Sequence, residues 1–279
     1  MKIFFVRYVP TRFYRVFKRH VLRLADFRAG RSGGRNPLIP PASKTFVYGV
    51  DPDFKVIGGE FLRHFIELGG LKPEHKVLDI GCGIGRIALS LTGYLSPRGE
   101  YRGFDIIREG IVWCRENITP RCPNFHFEAA DIFNRTYNPG GKYSAADFSF
   151  PYRDNYFDFV YTTSVFTHML PADMEHYLAE SARVMKPGGR CMHTFFIATA
   201  EALSLMAQGR AAFNFIYERK GYRTVSRLEP EKAVAYDEAV VRALYEKHGL
   251  TILEPIRFGN WCGRENCISG QDVVVAAKN

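Results

Sequence analysis

The chain has 279 residues and a mass of 31.8 kDa, and its 46% apolar and 14% aromatic content suits one α/β domain with elaborations and a full core. The formal net charge of +9 is unevenly placed: residues 1–35 hold ten of the 38 basic residues and, of the 29 acidic ones, only Asp26, which leaves the remainder neutral. No apolar run approaches the roughly 20 residues that span a bilayer, Arg7, Arg12 and Arg15 break up any signal-peptide core, and six cysteines without zinc-ligand spacing point to reduced thiols in a cytoplasmic protein with neither metal nor disulfide framework.

Within the basic arm, Phe13, Phe17, Val21 and Leu24 recur at helical spacing, while Arg12, Arg15, Arg19 and Arg23 follow another line of the wheel. Such a helix suits an anionic membrane surface, engaged through residues 1–30. A helix docked on the body, a nucleic-acid arm and a targeting peptide are the alternatives. A transit peptide would carry more serine than the lone Ser32 of the first 35 residues. Residues 31–43 are Gly/Pro-rich and read as a linker, so the arm spans 1–43 and the main domain 44–279.

A helix at 57–69 leads to the most informative run, Val77-Leu78-Asp79-Ile80-Gly81-Cys82-Gly83-Ile84-Gly85-Arg86. An apolar strand delivers an acid, and alternate glycines let the backbone turn sharply and approach a ligand. Helical residues 86–91 follow, so backbone N–H groups at a helix start face that ligand. A second strand at 100–105 ends in Asp105, 20 residues after Gly85, where an α/β nucleotide site places a carboxylate for ribose hydroxyls; a surface acid at a strand end is the plainer alternative. A third strand, 125–128, runs into Asp131-Ile132. The fourth, 157–161, continues into Thr162 and on to His168-Met169. A helix at 172–185 is closed by Lys186-Pro187-Gly188-Gly189, a stop signal, before a fifth strand at 191–197. A helix at 200–207, an aromatic-rich stretch at 213–222, a helix at 238–248 and strands at 250–258 and 271–277 complete the chain.

A dinucleotide fold wants its third glycine one residue later. The spacing of Asp79, Gly81, Gly83 and Gly85 instead resembles motif I of class I S-adenosylmethionine-dependent methyltransferases, and Val184-Met185-Lys186-Pro187-Gly188-Gly189-Arg190 resembles the signature before their fifth strand. The resemblance covers about residues 75–197. It implies a Rossmann-like, seven-stranded, mostly parallel sheet with helices on both faces and an antiparallel last strand. It also implies S-adenosylmethionine as cofactor, released as S-adenosylhomocysteine. By the same resemblance Gly81, Gly83 and Gly85 form the cofactor turn and Asp79 fixes the methionine end. Asp105 takes the ribose, Asp131 accepts from the adenine amine and Ile132 packs on the ring; Ile106 and Thr162 complete the set.

The loop after strand four faces the methyl donor in this family, which makes His168 the candidate general base; it could equally cap or pack the following helix. His193, inside strand five, reads as structural. Tyr48 is a lid candidate or plain packing. Residues 198–236 form a substrate-cap insertion or a surface excursion with its own small core, with Trp261, Gly263 and Arg264 near the same rim. Enzymes that methylate exocyclic amines of bases or glutamine amides usually carry Asn/Asp-Pro-Pro-Tyr/Phe after strand four, and Tyr161-Thr162-Thr163-Ser164 does not fit that pattern. The resemblance therefore implies a small-molecule acceptor: a hydroxyl on a sugar, a lipid-linked intermediate or a secondary metabolite. A nucleic-acid or protein methyltransferase using the arm, and a non-catalytic membrane adaptor, are the alternatives, with nucleic acid disfavoured as a partner.

Overall fold

The apolar runs become strands β1 (Lys76–Ile80), β2 (Glu100–Asp105), β3 (Phe125–Ala129), β4 (Phe157–Thr162) and β5 (Met185–Phe195) in a computed structural model that describes residues 12–31, 36–46 and 54–279. Four of the five β1 residues are buried, as expected of a parallel strand covered on both faces. Together with β9 (Leu250–Ile252) and β10 (Asp272–Lys278) these strands form one seven-stranded sheet in the order β3-β2-β1-β4-β5-β10-β9. β1 to β5 pair in parallel, and only β10 runs against its neighbours.

Helices α3 (Phe54–Glu67), α4 (Arg86–Leu91) and α5 (Arg108–Asn117) cover one face, burying Phe61, Phe65, Ile87 and Trp113. Helices α6 (Pro171–Val184) and α8 (Glu238–Lys247) cover the other with Met174, Leu178, Val241 and Tyr245. The chain leaves β1 towards β2 and β3 on one side and returns to β4 and β5 on the other. That reversal opens a crevice at the carboxyl ends of β1 and β4, where this kind of sheet binds its ligand.

Two boundaries differ from the sequence expectation. β5 starts at Met185, so the Lys-Pro-Gly-Gly run lies inside the strand; Gly188, at φ +73°, and a register shift between Phe157 and Phe159 absorb it as an irregularity. The strand expected over 250–258 ends at Ile252; Leu253 N–H still donates to the Val275 carbonyl at 2.8 Å, Pro255 has no N–H to give the ladder, and a bridge between Arg257 and Val273 resumes the pairing.

Residues 198–236 pack into a third core shared with neighbouring segments. Helix α7 (Ala200–Ala207) and a three-stranded antiparallel sheet of β6 (Tyr217–Arg219), β7 (Tyr222–Thr224) and β8 (Val234–Tyr236) gather Phe196, Phe215 and Trp261.

At the N-terminus α1 (Arg12–Arg31) is a helix that touches the body through polar contacts. Arg19 donates to Glu109 at 2.5 Å, and Asp26 accepts from the backbone N–H groups of Ala42 (3.0 Å) and Ser43 (2.9 Å) at the start of α2 (Ala42–Thr45). Val21 and Leu24 stand 49% and 65% exposed, so these two apolar residues are not what docks the helix. The side chains of Phe13 and Phe17, and all of Tyr48, lie outside the described residues. Among the described residues no helix is long and apolar enough to cross a membrane.

Candidate active site

β1 brings Asp79 to the sheet's carboxyl edge between β2 and β4, and the neighbouring strands supply its partners. Asp79 lies opposite Tyr161 in the β1–β4 register, while Tyr101 reaches it from β2. Both phenols donate to the same oxygen, Asp79 Oδ2, each at 2.7 Å. The other oxygen, Oδ1, is buried with no partner. Burial pushes the carboxyl up to about 7, the two phenols pull it back, Asp105 raises it and Arg86 lowers it. A buried acceptor left open at a cavity wall is what a donor-bearing ligand would satisfy.

The glycine turn follows directly. Gly81 has φ +83°, and a Cβ there would lie 2.4 Å from Val165 Cγ2, so any side chain would collide with the loop after β4. The turn is tied to β2: the Gly83 N–H donates to Asp105 Oδ2 at 2.8 Å, and Ile107 N–H donates to Oδ1 at 2.7 Å. Asp105 is buried, and that burial raises its carboxyl to about 6 against these backbone donors. Gly85, at φ +78°, starts α4; its missing Cβ makes room for Cys114 and Ile118, each 2.9 Å from where it would sit.

These groups line one cavity of about 370 Å³, within the range of small-molecule sites. Asp79, Gly81, Gly83, Asp105, Ile106 and Ile132 share its wall, and so does His168. Gly85 does not, and neither do Thr162, which is fully buried, nor Asp131, a half-exposed carboxylate 3.9 Å from the Lys142 ammonium.

His168 sits in a 3₁₀ turn (Phe166–His168) just before α6. Its Nδ1 lies 3.1 Å from the Glu231 carbonyl. A carbonyl only accepts, so Nδ1 bears the proton of the neutral ring and the basic lone pair is on Nε2. Burial lowers the ring's pKa, opposed by the carbonyls of Glu231 and Lys232, which favours the neutral form at pH 7. His193, by contrast, is fully buried, and its Nδ1 is 2.8 Å from the Tyr245 hydroxyl, away from the cavity wall.

Sequence reasoning missed several wall residues. Arg86 lines the end near Asp79, as its electrostatic coupling to that acid indicates. Ser164 is held at φ +58°, with its N–H donating to Thr194 Oγ1 at 2.8 Å. Asp173 and Tyr177 of α6 and Glu231 of the 198–236 insertion line it as well. Arg86 was visible beside the glycine motif; the others come from segments with no local signature.

Comparison with known proteins then decides the family. Residues 78–193 match the family model described as a methyltransferase domain. This stretch is a class I S-adenosylmethionine-dependent methyltransferase domain. S-adenosylmethionine is the cofactor of that domain. The chain is 30% identical over 149 residues to a sterol 24-C-methyltransferase of Gibberella zeae, covering 52% of this chain but only 33% of that enzyme. It is 26% identical over 206 residues to a ubiquinone/menaquinone biosynthesis C-methyltransferase of Ectopseudomonas mendocina, covering 68% of this chain and 73% of the other. The PH0226 protein of Pyrococcus horikoshii shares the fold at a TM-score of 0.55 and 18% identity, over 82% of this chain and 92% of its own. The matched stretch holds the glycine turn and most of the five parallel strands β1 to β5, while the N-terminal helix, β9, β10 and the other residues after 193 lie outside it.

Proposed function

We propose that the protein transfers the methyl group of S-adenosylmethionine to a hydroxyl of a small molecule such as a sugar, a lipid-linked intermediate or a secondary metabolite. The observation that carries this reading is that one cavity is lined both by Asp79, whose buried Oδ1 has no partner, and by His168. The bound cofactor supplies an electrophilic methyl on a positively charged sulfur. The chain's own residues have three tasks in this reading. Asp79 accepts from the methionine ammonium, with Arg86 beside it for the carboxylate, and Asp105 keeps free lone pairs for the ribose hydroxyls. Gly81 and Gly83 leave the backbone bare where the cofactor lies, and Ile106 and Ile132 offer apolar contact. His168 Nε2 takes the proton of the acceptor hydroxyl as the carbon–oxygen bond forms. The wall around it excludes water and fixes the acceptor in line, which alone can account for several kcal/mol of the barrier.

Asp131 and Thr162 belong to the proposed cofactor set on the family resemblance alone, and Gly85 is better explained by its packing. Titration of S-adenosylhomocysteine into the protein, with Asp105→Ala alongside, tests the reading. Loss of a charged acceptor of two hydrogen bonds lowers affinity about 30- to 1000-fold; no binding by the unaltered protein would overturn it. A second component of the proposal concerns the arm. The exposed Val21, Leu24 and Phe27, in a segment rich in arginine, support peripheral binding to an anionic membrane. Removal of residues 1–31 then abolishes sedimentation with anionic vesicles and leaves S-adenosylhomocysteine affinity unchanged.

A further inference from the structure

Where α6 and the 198–236 insertion line the cavity, their charged residues are of one sign. Asp173, in the first turn of α6, and Glu231, in the 3₁₀ turn Pro230–Lys232, both line it. Among the described residues no lysine lines the cavity and Arg86 is the one arginine that does, coupled to Asp79 beside the glycine turn. The two acids come from separate segments, the carboxyl of Glu231 feels the charge of Asp173, and the Glu231 backbone carbonyl is the one that fixes the His168 tautomer.

Asp173 is held by backbone N–H groups of Ala146 and Leu170 and feels His176, with Asp147 repelling it. Glu231 feels Arg135, whose guanidinium donates to the Leu228 carbonyl at 3.2 Å. Both carboxyls are raised above the usual range, chiefly by burial, and Glu231 further by the charge of Asp173. Two like charges sharing one partly desolvated cavity are relieved by a cation between them and would repel an anionic ligand. A metal ion is the less suitable occupant, since among the described residues no group of His, Cys, Asp and Glu could hold one.

We propose that the acceptor is a cationic amino compound, an amino alcohol or amino sugar, whose ammonium lies between Asp173 and Glu231 while its hydroxyl meets His168. The inference rests on the methyl-transfer reading of the cavity and narrows its substrate class. An ammonium offers three donors to the two carboxylates, so the same contact selects the molecule and aims its hydroxyl at Nε2.

The test uses three phenols of similar size on the full chain loaded with S-adenosylhomocysteine at pH 7.5: cationic tyramine, neutral 4-ethylphenol and anionic 4-hydroxyphenylacetate. Calorimetry is expected to give tyramine an advantage of about 10-fold or more over the neutral phenol, with no detectable binding of the anion. Asp173→Asn and Glu231→Gln should each remove most of that advantage while S-adenosylhomocysteine affinity stays as it was. Equal binding of all three phenols, no binding of any, or a preference that survives both substitutions overturns the proposal. So does a pair of variants that weaken S-adenosylmethionine but not S-adenosylhomocysteine and keep the amine preference, since the acids would then serve the cofactor's sulfonium. Failure of S-adenosylhomocysteine to bind the unaltered protein is a different result, and it removes the methyl-transfer reading itself.

Discussion

Asp79 is the residue on which most of the site's electrostatics turn. Its folded carboxyl titrates near 7, whereas in the unfolded chain it would titrate near the ordinary value of about 4. Between those values the folded protein binds the extra proton, so Asp79's contribution to stability is full below pH 4 and is lost as pH rises through about 7. A ligand ammonium at Oδ1 favours the ionised form. Binding of S-adenosylhomocysteine should therefore release a proton below pH 7, and affinity should fall by up to about 10-fold per pH unit there. Calorimetry at pH 6 in two buffers of different ionisation heat reads that proton directly, and in Asp79→Asn the difference between buffers should shrink to what Asp105 leaves. Identical heats in both buffers for the unaltered protein would show that Asp79 does not meet a cation. At this scale the sequence told much: the acid before the glycines and the acid ending β2 were both legible as cavity residues. Tyr101 and Tyr161 were not, because strand register alone brings them to Oδ2.

Among the elements, α1 tests how far amphipathic patterning can be trusted. Its spacing was legible as a helix, but the direction in which its apolar residues point was not. The structure joins it to the body by the Arg19–Glu109 pair and by the Asp26 carboxylate on the start of α2. Half-exposed ion pairs contribute little, about 0–1 kcal/mol, whereas a carboxylate satisfying two free helix N–H groups is worth about 1 kcal/mol. Glu109→Ala should thus leave the thermal midpoint nearly unchanged, and Asp26→Ala should loosen the arm. Proteolysis with trypsin, for which the arm is rich in sites, should cleave Asp26→Ala faster than the unaltered protein, with cofactor affinity unaffected. Equal cleavage rates would mean that the cap does not hold the helix. The misread start of β5 has a related cause. Pro and Gly mark a departure from regular backbone, and only pairing with β4 distinguishes an irregular strand from a loop.

For the whole molecule, a seven-stranded, mostly parallel sheet with an antiparallel last strand was legible because the motifs along 75–197 resemble one family. The wall that carries Asp173 and Glu231 was not, because the two come from α6 and from the 198–236 segment with no shared local signature. The linked ionisations make a last prediction for the intact protein. Saturating ligand at 100 times its dissociation constant stabilises by about 2.7 kcal/mol, which for a domain of this size raises the melting midpoint by roughly 5–10 °C. Asp79 and Asp105, raised to about 7 and about 6, are already ionised at pH 8 but largely protonated at pH 5.5. At one fixed concentration, S-adenosylhomocysteine should therefore raise the midpoint by several degrees at pH 8 and by much less at pH 5.5, with the unliganded midpoint at each pH as reference. His193 opposes part of the unliganded trend: its pKa is lowered to about 3, so its contribution is present above about 6.5 and fades as pH falls towards 3. It lies off the cavity wall and cancels when liganded and unliganded midpoints are subtracted at the same pH. A ligand-induced shift equal at both pH values would therefore count against the two acids at the cofactor end, whatever the protein's own acid stability.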